Sequence, residues 1–300
     1  MRIVVTGSTG LIGSELVHVL RYQGHEVLRL VRARPTGRHA AYWNPDTGVI
    51  DADALGRADA VVNLCGRSTG CRWTEQAKRE ILHSRTRPTG LLAETMARLP
   101  GGTRTLVSMS GVHIYGDQGD RILNEDSPEG PGFMASVARA WEAAADPARE
   151  AGIRVVHVRG GVVQNPAGGA LAAQLPLFRL GLGGRLGSGR QWWSWISADD
   201  MTGILRHVLL TPDLVGPVNA TAPNPVTNAE LTSALAGALH RPALLPVPSF
   251  GPRLLFGQMA DELLYASIRA VPARILAAGY TFRHTDLEAA YRDLLSRPAA

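Results

Sequence analysis

The first half of the chain alternates two hydrophobic rhythms. Short β-branched runs fall at Ile3–Val5, Val27–Val31, Ala60–Leu64, Thr105–Ser108 and Ile153–Val158, with the length and composition of buried strands. Stretches of helical spacing lie between them. Leu11, Ile12, Leu16, Val19 and Leu20 form one apolar stripe, and Gly24 stands where a helix C-terminus is expected. A second helix is expected over 74–83, another from Pro88 through Leu91, Leu92 and Met96, and a third over 135–150. This alternation predicts βαβ units and a parallel sheet.

After Val163 the pattern changes. Residues 164–190 are glycine-rich, with turn clusters at Pro166–Gly169 and Gly181–Gly189. Apolar patterning returns over 195–210 and a short strand is expected over 217–220. Helical segments punctuated by proline follow over 228–239, 252–264, 273–278 and 286–295. The expected fold is α/β: a Rossmann-type doubly wound parallel sheet with a small, mainly helical C-terminal lobe. The sheet domain would span 1–163 with 191–222 returning to it, and 164–190 with 223–300 would form the smaller lobe.

Composition narrows the function classes. At 300 residues and 45% apolar side chains, the chain can bury a sizeable core. No window approaches the ~18 uninterrupted apolar residues of a membrane span, and the start reads as a strand rather than a secretory leader. Cys65 and Cys71 show no metal-ligand spacing and read as reduced thiols, so a cytoplasmic location is expected, with no metal and no membrane partner. The net charge of +5 comes from dispersed arginines. Without a basic run interleaved with aromatics, nucleic acid is not an expected partner; the charge reads as a solvated surface plus an anionic ligand site. A homodimer is left open.

The densest local signal is Thr6-Gly7-Ser8-Thr9-Gly10-Leu11-Ile12-Gly13, directly between the first strand and the first helix. Gly7 allows the tight turn, Gly10 the close approach of a pyrophosphate, and Gly13 close helix–strand packing. Free N–H groups at the helix start then face phosphate charge. The second strand ends in Val31-Arg32 rather than in the acidic residue that bonds a ribose hydroxyl. A guanidinium there suits a 2′-phosphate, so NADP(H) is the expected cofactor. The third strand ends in Asn63-Leu64-Cys65-Gly66, small residues of the kind that pass beneath a nucleoside.

Several stretches together resemble the atypical short-chain dehydrogenase/reductases called the "epimerase family", which are nucleoside-diphosphate-sugar epimerase-like and carry a C-terminal domain of unknown function. They are Asn63–Gly66, Arg72–Glu75 with Ser84-Arg85, Tyr115–Asp120, Phe178–Gly184, Gly187–Gln191 and Ala222–Asn228. The resemblance implies an NADP-binding fold. It implies contacts from the glycine loop, Val31, Arg32, Leu64, Cys65, Glu80, Arg85, Ser108 and the strand end at Val163.

The usual chemistry of that superfamily needs a Ser or Thr, a Tyr as acid/base and a Lys four residues after the Tyr. Ser110, in Ser108-Met109-Ser110-Gly111, fits the first position. Phe133 and Val137 stand where the Tyr and Lys should be, and neither side chain can move a proton. Tyr115 is the expected substitute; His113 has a suitable intrinsic pKa, and Asp117 and Asp120 fit turn roles. Trp192, Trp193 and Trp195 would either stack on a flat ligand or be buried between lobes, and Asp199-Asp200 reads as a helix cap. Arg179 and Arg185 are further candidates for an anionic substrate.

The expected function is an NADP(H)-dependent oxidoreductase or epimerase-like enzyme acting on a small molecule. The alternative is a non-catalytic NADP(H)-binding redox-sensing or regulatory protein, which loss of the Tyr and Lys favours.

Overall fold

The computed structural model describes residues 1–35, 37–99 and 101–297. Along the first half run β1 (Arg2–Thr6), α1 (Leu11–Tyr22), β2 (Glu26–Val31), β3 (Ala40–Asn44), β4 (Val49–Ile50), α2 (Ala52–Gly56), β5 (Ala60–Asn63), α3 (Glu75–Arg98), β6 (Thr105–Gly111) and α4 (Phe133–Ala143). Then come α5 (Asp146–Glu150), β7 (Arg154–Gly160), α6 (Gly169–Arg179), α7 (Ala198–Leu210), β8 (Gly216–Ala220), α8 (Asn228–Leu239), α9 (Phe250–Phe256), α10 (Ala273–Ala277) and α11 (Leu287–Ser296). The strands form one sheet in the order β8-β7-β6-β5-β1-β2-β3-β4, parallel except for β3 against β4. The order in which strands are added reverses between β1 and β5, the two still parallel, and this switch point opens a crevice at the C-terminal strand ends.

Strict alternation divides the core. Ile3, Val5, Val62, Val107 and Val156 pack on one face with Leu16 and Leu20 of α1 and Ile204, Leu205 and Val208 of α7. Val4, Val61, Leu106 and Val155 face the other side, against Leu92 and Met96 of α3 and Ala148 of α5. A separate core joins Leu171, Leu175 and Phe178 of α6 to Leu231 and Leu235 of α8 and Leu287 and Tyr291 of α11.

The expected strands all form, but several helix boundaries need correction. The helices expected over 74–83 and from Pro88 are one continuous α3 with Pro88 inside it. Proline withholds an N–H there, yet Ile81, Arg85, Thr89, Leu92 and Ala93 are buried on both flanks, and packing carries the helix through. The helix expected over 135–150 breaks into α4 and α5 ahead of Pro147. The one expected over 252–264 breaks at Gly257 (φ 58°), with a π-helical turn at Ala260–Tyr265 following. The glycine-rich segment 164–190, read as turns, contains α6, because tertiary burial of Leu171, Leu175 and Phe178 overrides weak local propensity. The β3–β4 hairpin had no expectation at all.

Candidate functional site

Where the switch point opens, a cavity of about 930 Å³ is walled by three strand-end turns. Gly7–Gly10 follow β1, Leu30–Ala33 include the end of β2, and Leu64–Arg67 follow β5, with Glu80, His83, Ser84 and Arg87 of α3 closing the far side. Gly7 has φ 63°, and a Cβ on it would lie 2.7 Å from the Leu64 carbonyl oxygen. A Cβ on Gly13 would lie 2.2 Å from the Gly7 oxygen. Glycine is therefore required at both positions if the loop is to pass beneath a ligand.

A buried hydrogen-bond chain fixes the β1 and β5 ends. Thr6 Oγ1 donates to Asn63 Oδ1 (2.7 Å) and accepts from the Leu64 N–H (3.3 Å). Asn63 Nδ2 donates to Thr89 Oγ1 (2.8 Å) and, at 3.4 Å, to Ser108 Oγ. The sequence placed Asn63 in a strand end beneath a nucleoside, but its supporting role was not legible there, because its partners come from three other elements.

Gly7, Thr9, Gly10, Val31, Arg32, Leu64, Cys65 and Glu80 line the cavity. Burial pushes the Cys65 thiol up, against opposing effects of Thr6, Arg32 and the Gly7 backbone. Arg32 is exposed, and among the described residues no carboxylate pairs with it. The other cavity arginines are engaged: Arg67 pairs with Glu80, and Arg87 Nη1 lies 2.9 Å from Asp46 Oδ1. The remaining expected residues lie outside this wall. Leu11 packs at Gly168, Gly13 sits behind Gly7, and Ile12 and Val163 pack on the sheet core. Ser108 is fully buried. Arg85 stands behind Gly66, donating to the carbonyls of Ile81 (2.9 Å) and Arg67 (3.0 Å) over the Trp141 ring; desolvation lowers its pKa to about 10.

Ser110 and Tyr115 belong to a second, closed arrangement. Ser110 Oγ donates to Glu142 Oε1 (2.7 Å), and both Glu142 oxygens accept from Arg159 (2.8 and 2.9 Å). Arg159 Nη1 donates to the Tyr115 oxygen (3.1 Å), and the Tyr115 hydroxyl donates to Asn219 Oδ1 (2.8 Å). Tyr115 has no solvent exposure. Burial raises its pKa, and the Arg159 charge offsets only part of that. Desolvation opposes ionisation of Glu142, but hydrogen bonding from Arg159, the His157 and Arg159 charges and the Ser110 hydroxyl outweigh it, leaving the carboxyl below its usual range. Glu142, Arg159 and Asn219 were invisible to sequence reasoning.

The Tyr and Lys positions are filled by an apolar contact, buried at Val137 and half-buried at Phe133, over whose ring the Lys78 ammonium lies 5.6 Å from the centroid. Val137 is buried with Trp73, Ile81, Met134 and Met259, and Phe133 meets the Trp73 ring edge-on at 5.0 Å. Glu262, from the C-terminal half, accepts the Phe133 and Met134 N–H groups (3.0 and 2.8 Å) and so caps α4. Desolvation holds the His113 pKa down to about 4, with Glu262 opposing and Arg85 adding to the shift; its imidazole is neutral.

Other candidates resolve into structural roles. Asp117 accepts the Gly119 N–H (3.0 Å), and Asp120 accepts Trp192 Nε1 (2.9 Å). Trp193 and Trp195 are core residues. Ser197, not the acidic pair, caps α7; buried Asp200 accepts the Arg283 and His284 N–H groups and the Tyr280 hydroxyl. Asp199, His284 and Asp293 lie close enough to hold a metal, but Arg297 pairs with both carboxylates and Arg283 lies 3.4 Å from each.

A doubly wound sheet with a glycine-loop cavity at its switch point defines a dinucleotide-fold protein. The chain belongs to the NAD dependent epimerase/dehydratase family, which residues 3–220 match; residues 247–294 match the domain of unknown function DUF1731. It is 44% identical to the epimerase family protein Mb2239 of Mycobacterium bovis over 99% of this chain and 98% of the relative. The crystal structure of human epimerase family protein SDR39U1 with NADPH is similar at TM-score 0.86 and 36% identity, covering 98% of this chain and 99% of that one. A nucleoside-diphosphate sugar epimerase from Corynebacterium glutamicum is similar at TM-score 0.82 and 38% identity, over 98% of this chain but 58% of that longer one.

Proposed function

We propose that this chain binds NADP(H) in the strand-end cavity and acts as an oxidoreductase or epimerase-like enzyme on a small molecule. The observation that carries the cofactor is Arg32, a cation in the cavity wall with no carboxylate partner among the described residues. In this reading the Gly7–Gly10 turn and the start of α1 hold the pyrophosphate, Arg32 binds the 2′-phosphate, and Val31, Leu64 and Cys65 flank the nucleoside. The NADPH in the human relative supports it. Bound there, the cofactor supplies hydride chemistry, leaving the protein to orient the substrate. Glu80, Arg85, Ser108 and Val163 then support the loops that touch the cofactor.

The lobe division proposed is 1–163 with 191–222 against 164–190 with 223–300. The buried sheet core draws on the first set apart from Ile275, and the second core on the second set apart from Trp193, Trp195 and Ala222, which form the seam between them. The two free cysteines agree with a cytoplasmic location.

Calorimetric titration of NADPH and NADH into wild type and Arg32→Ala tests the assignment. NADPH should bind tighter by at least ~1.4 kcal/mol, a factor of ten, with most of that preference lost in the variant. Equal affinity for both nucleotides would refute the role of Arg32.

A second reading, a non-catalytic NADP(H)-binding redox-sensing or regulatory protein, is favoured by the engagement of Ser110 with Glu142 and of Tyr115 with Asn219. Nicotinamide absorbance followed across a panel of carbonyl and sugar substrates separates the readings. Substrate-dependent turnover excludes the sensor.

A further inference from the structure

Residues 151–198 and 231–260 contain no Asp or Glu. The structure brings parts of these two stretches together. Arg241 Nε donates to the Arg179 carbonyl (3.0 Å), the Val247 N–H to the Arg185 carbonyl (2.8 Å), and the Gly187 N–H to the Val247 carbonyl (2.9 Å). From this joint the chain runs into α9, which buries none of its residues. Arg72 holds α9 by its backbone, donating to the carbonyls of Leu254 (2.8 Å) and Leu255 (3.3 Å). The helix is thus fixed in place, with Phe256 against the Trp73 cluster, while Phe250, Leu254 and Leu255 stay in water.

That surface is unusually apolar. Leu180, Leu244, Leu245, Phe250, Leu254 and Leu255 are each between 65% and 86% exposed. Scattered single leucines need no explanation, but a cluster on adjoining segments marks a contact surface. Arg179, Arg185, Arg190 and Arg241 are exposed in the same segments, and among the described residues none has a carboxylate partner. Arg253, on α9 itself, pairs with Asp261.

We propose that this face, formed by residues 177–190 and 241–256, rests on an anionic lipid surface, with the leucines and Phe250 entering the headgroup boundary and the arginines pairing with lipid phosphates. Two features favour a bilayer. A self-complementary dimer through this face would set its unpaired arginines against their own copies. The apolar side chains also protrude, and a bilayer accepts protruding groups without a matching groove. Among the described residues, no helix is long and apolar enough to cross a membrane. The sequence expectation of no membrane partner rested on the absence of such a span, and a peripheral contact does not need one.

The test is co-sedimentation of the full chain with phosphatidylcholine vesicles, with and without phosphatidylglycerol, at low and high salt. The variants are Leu254→Ser/Leu255→Ser and Arg179→Glu/Arg190→Glu, all at exposed positions, with thermal unfolding and NADPH titration as folding controls. Binding to the anionic vesicles should exceed binding to neutral ones by on the order of tenfold, fall with salt, and be lost in both variants. No sedimentation with either vesicle overturns the proposal, as does equal binding to both. A wild-type dimer that Leu254→Ser/Leu255→Ser converts to monomer, without vesicle binding, overturns it in favour of a second copy of the chain.

Discussion

Removing the Glu142 carboxylate offers the sharpest test of whether Ser110 and Tyr115 are structural. Arg159 and Glu142 keep 6% and 13% of their side-chain surface exposed. In Glu142→Met, Arg159 stays buried as an uncompensated cation, a loss of about 3–5 kcal/mol. At roughly 2 °C per kcal/mol for a large domain, the unfolding midpoint should fall by about 6–10 °C. Arg159→Met should cost a similar amount. The double variant removes both charges and leaves mainly the lost hydrogen bonds of Ser110 and Tyr115, about 1 kcal/mol each. It should therefore be more stable than either single variant. Calorimetry and urea unfolding on the four proteins complete the cycle. Single-variant losses below about 1 kcal/mol, or a double-variant loss equal to the sum, would show that water already solvates the pair.

Four further outcomes are expected. Phe133→Tyr/Val137→Lys should lower stability by several kcal/mol without raising turnover, because Val137 is 1% exposed in an apolar cluster and a lysine there is desolvated; a gain in rate at unchanged stability would contradict this. Gly13→Ala should weaken NADPH binding by about tenfold or more, read by calorimetry, because the new Cβ displaces the Gly7 carbonyl. Stability should fall as pH drops from 6.5 to about 4, since the unfolded chain protonates His113 in that window and the folded one does not; His113→Asn should flatten part of the slope in pH-dependent urea melts. The lowered pKa of Glu142 acts in the same direction, its contribution being full above the ordinary Glu range and lost as pH falls through the folded value, so Glu142→Met should also reduce acid sensitivity.

What the sequence by itself determined is what neighbouring residues settle among themselves. Alternation at Ile3–Val5 and Ala60–Leu64 places side chains on opposite sheet faces in any strand, and the Gly7–Gly13 spacing requires a turn that only glycine can make. Arg32 was legible for the same reason, because the residue ending a strand in this fold projects into the crevice. Tertiary packing decided the rest. Pro88 reads locally as a helix start, yet burial on both sides runs α3 through it. Glycines in 164–190 read as turns, yet the core formed with α8 and α11 folds α6. Ser110 read as the substrate-orienting hydroxyl and Tyr115 as the proton donor, but their state depends on Glu142, Arg159 and Asn219, the last of these 104 residues from Tyr115. Local patterning fixes backbone geometry because its forces act over a few residues. The availability of a proton depends on burial and on hydrogen-bond partners, which exist only once distant elements have packed together.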